Sequence, residues 1–194
     1  MSTFAPPTQF ISGESAKRLI RDVRRIAKEP LTDSGIYYQH SDTNMLKGTA
    51  LIIGPTETPY EGGFYTFDLD FPANYPHSPP IVTAMTQGNR MRFHPNMYTS
   101  GKVCLSILNT WYGDGWTSCQ SITSILLTIC SVMTKDPLLN EPGIHEKSRD
   151  VKRYNKIVEF ENLKTSICKY KELDKFMPER FHWMQPIITE RFSA

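Results

Sequence analysis

The chain has 194 residues, of which 39% are apolar and 22% charged, and its net charge is +2. That is the composition of one ordinary globular domain with room for a sizeable core. So weak a positive balance, with no long Lys/Arg tract, argues against nucleic acid as a partner, and no apolar run approaches the ~20 residues a membrane helix needs.

The N-terminal stretch "MSTFAPPTQF" lacks the basic region and apolar core of a secretory signal. With Pro6-Pro7 and few apolar anchors, residues 1–12 read as a flexible tail. Residues 13–28 read as a helix, with Ser12 or Ser15 as cap and Pro30 as stop. Its apolar set is Ala16, Leu19, Ile20, Val23, Ile26 and Ala27, and Lys17, Arg21, Arg24, Arg25 and Lys28 fall on the other face. Four strand candidates follow: Ile36–His40, Leu46–Ile53, Phe64–Phe71 and Ile81–Thr86. The third alternates Tyr65, Phe67, Leu69 and Phe71 against Thr66, Asp68 and Asp70. Short turns at Gly54-Pro55 and Glu61-Gly62-Gly63 suggest an antiparallel meander. Tyr75-Pro76 and Pro79-Pro80 form a stiff crossing in which a cis bond after Tyr75 is expected. Ser121–Thr134 reads as a buried helix with Ile122, Ile125, Leu126, Ile129 and Met133 on one face. Residues 146–170 read as another helix, and 179–192 as a last short one. Helix, four strands, an irregular segment and further helices make an α+β chain.

The irregular segment holds "RFHPNMYTSGKVCLSIL", residues 92–108. Asn96 and Cys104 flank a tight turn, eight residues apart. A lone Cys in an apolar run is ordinarily core packing, and an Asn after Pro is ordinarily a turn former. The alternative is a nucleophile facing an amide that donates to an oxyanion without titrating. A Cys thiolate both attacks and leaves a thioester readily. Gly101 suits a positive φ in the turn. His94, held before Pro95, reads as a loop-fixing hydrogen-bonding group rather than a base. The remaining cysteines, Cys119, Cys130 and Cys168, form no CxxC pair and no zinc-like spacing with the five histidines. The expectation is reduced thiols in a cytoplasmic or nuclear protein, with no metal and no cofactor.

"GP" at 54–55, "TPYEGGFYTFDLDFPANYPHSPP" at 58–80, "FHPN" at 93–96, "GKVCLSIL" at 101–108, Trp116 and the helix "SITSILLTICSVMT" stand in an order and spacing that resembles the ubiquitin-conjugating enzymes. The resemblance covers roughly residues 13–170, leaving 171–194 as a C-terminal helical extension. "GKVCLSILNTW" and "NEPG" resemble the large Z-type members and the conjugating domain of a giant inhibitor-of-apoptosis protein. It implies an enzyme that takes ubiquitin or a ubiquitin-like modifier from an activating enzyme as a thioester on Cys104 and passes it to a substrate lysine. A non-catalytic ubiquitin-binding scaffold is the alternative. Asn96 would support the oxyanion or order the loop, with His94, Pro95 and Gly101 positioning it. Glu141 would stand at an acidic gate for the attacking lysine, with Asp136 as runner-up. Lys17, Arg21, Arg24 and Arg25 would meet the activating enzyme, unless they are simply a solvated face. His77 and Ser118 fall in the loops that would meet a RING or HECT ligase, where an apolar anchor and a Pro-Ala pair are common, and Ser106 stands where an Asp is frequent. The segment "NTWYGDGW" at 109–116 reads as either a lid or a docking surface.

Overall fold

A computed structural model of the chain describes residues 11–88 and 91–193. Most of the expected flexible tail, residues 1–10, lies outside the described residues. Helix α1 spans Gly13–Lys28, and Ser12 Oγ accepts from Ser15 N at 3.1 Å to cap it. Strands β1 (Ile36–His40), β2 (Lys47–Ile53), β3 (Phe64–Asp70) and β4 (Ile81–Ala84) form an antiparallel sheet in chain order. One row runs Tyr38, Ala50, Phe67, Ala84 across all four. Helix α2 (Ile122–Val132) starts in a capping box between Ser121 and Ser124, and its predicted face is fully buried. The Tyr75–Pro76 bond is cis.

The inner face of the sheet follows the alternation read from β3. Tyr65, Phe67, Leu69 and Phe71 pack with Leu19 and Ile26 of α1 and with Ile122, Ile125, Leu126 and Ile129 of α2. The stripe that α1 buries is rotated from the predicted one. Ser15, Leu19, Asp22 and Ile26 face inward, while Ile20 and Ala27 are exposed. The cause is polar: Asp22 is buried because Arg18 Nε and the Tyr75 hydroxyl both donate to its carboxylate, at 3.1 and 2.5 Å.

The expected 146–170 helix is not one helix. Residues 145–148 turn, Ser148 caps, and α3 runs Arg149–Glu161. The backbone then widens into a π segment, Asn162–Cys168, and tightens to a 3₁₀ segment, Lys169–Lys175. At the widening, buried Asn162 accepts from the Tyr65 hydroxyl at 2.7 Å and donates to Glu61 O at 3.0 Å, so the sheet and its turn claim the side chain. The last predicted helix divides likewise into a 3₁₀ turn, Glu179–Met184, and α4, Gln185–Ser193.

This C-terminal segment covers the outer face of the sheet. Leu51 and Phe64 pack there against Tyr170, Leu173, Met177, Phe181, Met184 and Ile188. Six such side chains, each stabilising by roughly 1.5–3 kcal/mol when fully buried, hold the segment down. Polar contacts set its register. Tyr170 OH lies 2.8 Å from Thr66 Oγ1, Trp183 Nε1 donates to Thr49 Oγ1 at 2.9 Å, and Arg180 grips Asp68 with two N–H groups. Thr66, on the polar side of β3, is therefore fully buried.

Candidate active site

The Asn96–Cys104 spacing is a hairpin register. Gly101 N donates to Tyr98 O at 2.9 Å, closing the turn, and Tyr98 N donates to Lys102 O at 2.9 Å. Met97 then pairs with Val103, and one step further back Asn96 stands opposite Cys104. Gly101 has φ of 89°, and a Cβ there would approach Thr83 Cγ2 to 2.7 Å, so glycine is required on both counts. Asn96 and Cys104 hold each other twice. Cys104 N donates to Asn96 O at 2.8 Å, and Asn96 Nδ2 donates to Cys104 O at 2.7 Å. One amide hydrogen of Asn96 is thus committed to the backbone of Cys104, and its Oδ1 is buried without a partner among the described residues. The Cys104 residue is 2% exposed.

His94 is fully buried behind this pair. Its Nδ1 accepts from Asn96 N at 3.0 Å, which fixes the neutral ring with the proton on Nε2. Burial lowers its pKa from 6.5 to about 4. The Val132 carbonyl opposes this in part. Arg92 Nη1 donates to Pro95 O at 3.2 Å while its guanidinium lies 3.9 Å over the Tyr98 ring, bracing the other side of the loop. Beyond Cys104, Thr110 Oγ1 accepts from Leu105 N at 2.9 Å and donates to Val103 O at 2.8 Å.

Glu141 is exposed, at the end of the 3₁₀ turn Pro137–Asn140. Its carboxylate makes no hydrogen bond or ion pair among the described residues, but its charge reaches Tyr154. Burial pushes the Tyr154 phenol up, Arg92 opposes and Glu141 adds to the rise. Tyr154 OH donates to Arg92 O at 2.9 Å, so Glu141 connects to the Asn96 loop through Tyr154 and Arg92 and not by direct contact. Asp136 differs, because its Oδ1 accepts from Asn155 Nδ2 at 2.8 Å.

On α1, Lys17, Arg21, Arg24 and Arg25 are all exposed. His77 and Ser118 are exposed too, at the adjoining end of the molecule. Arg18, which sequence reasoning passed over, joins these regions. It pairs with Asp22 and also donates to Ser118 O and, at 2.5 Å, to Gln120 O. The signal for it was the Arg/Asp spacing of i,i+4 on a predicted helix. Thr110 and Tyr154 were missed as well, and no local pattern marks either. All four cysteines are free, with Cys119 and Cys168 exposed. Among the described residues no three His, Cys, Asp or Glu side chains gather as a metal site.

A family model for ubiquitin-conjugating enzymes matches residues 18–162. The chain is 39% identical to ubiquitin-conjugating enzyme E2 Z of Xenopus tropicalis over 93% of its own length and 62% of the relative's. It is 46% identical to the E2 Z of Homo sapiens over 78% of this chain and 43% of that protein. It is also 40% identical to the human dual E2 ubiquitin-conjugating enzyme/E3 ubiquitin-protein ligase BIRC6, over 71% of this chain and 3% of that protein. The chain thus spans about half the length of the E2 Z relatives.

Proposed function

The chain belongs to the ubiquitin-conjugating enzyme family, and on that premise we propose that Cys104 accepts ubiquitin, or a related modifier, as a thioester and hands it to a lysine. In charging, the Cys104 thiolate attacks the carbonyl of the thioester on an activating enzyme, and the tetrahedral intermediate expels the activating enzyme's cysteine as a thiolate. In transfer, a neutral lysine amine attacks the new thioester, loses a proton and expels the Cys104 thiolate, leaving an amide. Exchange between thiols needs no strong base, which suits a site whose nearest histidine is buried and neutral.

The observation that carries this reading is the double hydrogen bond between Asn96 and Cys104. It holds the backbone of the nucleophile and aims an uncharged amide at it. The second amide hydrogen of Asn96 is the donor we assign to the oxyanion. Glu141, an exposed carboxylate with no hydrogen bond or ion pair among the described residues, is assigned to the lysine's proton. The exposed cations of α1 are assigned to the activating enzyme, where charge complementarity raises the on-rate. Ser118, whose carbonyl accepts from Arg18 of α1, and His77 are assigned to a ligase. Free cysteines fit a reducing compartment, cytoplasm or nucleus.

The test mixes the protein with activating enzyme, ATP and ubiquitin. A thiol-sensitive adduct is expected, replaced by a thiol-stable oxyester in Cys104→Ser and absent in Cys104→Ala. Charging that persists in Cys104→Ala removes the assignment. Retained ubiquitin binding without any adduct would make the protein a scaffold instead.

A further inference from the structure

The segment 109–116 has a fixed base and an exposed aromatic tip. At the base, Thr110 straddles the backbone of Cys104 through Val103 O and Leu105 N. Asn109 adopts φ of 55°, and its Oδ1 accepts from Trp116 N at 2.8 Å. Trp116 donates its indole N–H to Pro76 O at 2.6 Å, with its ring 5.9 Å from that of Tyr75. Gly113, at φ of 122°, passes so near Ser106 that a Cβ would lie 3.2 Å from Ser106 Cβ. At the tip, Tyr112 is 91% exposed and Trp111 39%, with ring centroids 6.1 Å apart. A lid would have laid these rings on the core. An anchored loop that leaves them in water presents the side chains most enriched at binding hot spots.

The charge around the tip says what it would hold. From Val103 to Thr134 the chain has no Lys, Arg, His or Glu, and its one charge is Asp114, exposed on this loop; Lys102, also exposed, lines a cavity with Thr110 at the loop's base rather than at its tip. The cation that reaches in from α1, Arg18, is already paired with Asp22. Electron-rich ring faces with a carboxylate beside them attract ammonium and guanidinium groups. We propose that Trp111, Tyr112 and Asp114 form a docking site for a basic segment of the acceptor protein, with Lys or Arg flanking the lysine that attacks at Cys104. This rests on the reading of Cys104 as the thioester nucleophile, because the loop's base is hydrogen-bonded on both sides of Cys104 through Thr110, and that anchoring is what makes the acceptor the occupant. A peptide held by the ring pair is held beside the thioester, which raises its effective concentration there and leaves the chemistry of a small amine untouched.

Two measurements test it. The first is the anisotropy of a labelled peptide carrying one Lys flanked by Arg, titrated with uncharged Cys104→Ala protein so that binding does not depend on the thioester. An acid-flanked peptide is the control. Tyr112→Ala and Asp114→Asn, both in that background, are each expected to weaken the basic peptide about three- to fivefold, from one cation–π contact or one exposed ion pair. The second is single-turnover discharge. The half-saturating concentration of the basic peptide rises by the same factor in Tyr112→Ala with Cys104 intact, while charging and discharge to free lysine keep their wild-type rates. Equal binding of the two peptides, or binding indifferent to both substitutions, overturns the proposal. Slower charging of Tyr112→Ala also overturns it, by giving the rings to the modifier or the activating enzyme. Wild-type protein that binds the basic peptide yet never charges overturns the thioester reading and the acceptor assignment with it, and leaves the basic-peptide site standing.

Discussion

Acidification should weaken the fold through His94, by an amount the structure sets. The ring is fully buried and Nδ1 accepts from Asn96 N, so the folded protein holds it neutral down to about pH 4, against 6.5 in the unfolded chain. Between those values the unfolded state binds a proton that the folded state does not. Stability is then fully present above pH 6.5 and falls as the pH drops toward 4. The linkage amounts to about 2 kcal/mol at pH 5 and about 3 kcal/mol once pH 4 is passed. Protonation would also set an Nδ1 proton against the Asn96 N–H, opening the loop that carries Cys104. The assay is urea unfolding at pH 7.5, 6 and 5 for wild type and His94→Asn, whose side-chain oxygen can still accept but cannot titrate. Other groups, His40 included, cancel in the difference. Wild type should lose about 2 kcal/mol more than the variant from pH 7.5 to 5. Parallel losses would refute the argument and show that His94 is charged, or reachable by water, in the folded state.

Asn96→Ala should slow transfer to lysine by about 10²–10³ and charging by less, as for loss of one oxyanion donor, read in single-turnover assays. An equal fall in both steps would leave Asn96 the role of holding Cys104 O alone. Glu141→Ala should charge normally and discharge slowly to free lysine, with partial rescue from pH 7 to 9, whereas wild-type discharge across that range removes Glu141 from the mechanism. On the outer face, Phe181→Ala should cost about 3–5 kcal/mol in urea unfolding. Arg180→Ala should cost under ~1 kcal/mol, since the Arg180 side of its pair with Asp68 is half exposed.

Where local rules decide, the sequence was readable. The caps Ser12 and Ser121 mark the starts of α1 and α2, and the four strands lie within two residues of their predicted bounds. The Asn96–Cys104 pair was visible because a hairpin encodes its own register. Distant partners decided the rest. Nothing within α1 shows that Asp22 turns inward, because the hydroxyl it accepts from belongs to Tyr75, 53 positions away. Nothing near Glu161 announces the π segment, because Asn162 answers to Tyr65 and Glu61. Thr66 looked like a solvent-side residue of an alternating strand. Its burial depends on Tyr170, 104 positions later, and a two-residue period cannot see whether a polar face will be covered.

Asn96, which bonds the Cys104 backbone, and His94, which bonds Asn96, share one property that narrows the source of help for the proposed transfer. Asn96 does not titrate, and His94 is neutral through the physiological range with its acceptor nitrogen occupied. On the proposed thioester reading, the Cys104 backbone is thus placed by uncharged hydrogen bonds, which keep their geometry while the modifier arrives and leaves. That arrangement serves thiol exchange but supplies nothing for a lysine, whose deprotonation at pH 7 costs about 4.6 kcal/mol from a pKa of ~10.4. On that reading the second step needs a group that can take a proton, and the two carboxylates that the family resemblance offered are not equivalent. Asp136 is held by Asn155 at 2.8 Å, whereas Glu141 is exposed and opens a loop that turns at Gly143, with φ of 83°. A base that engages only when the acceptor arrives should be unencumbered and outside the rigid clasp. Glu141 meets that condition.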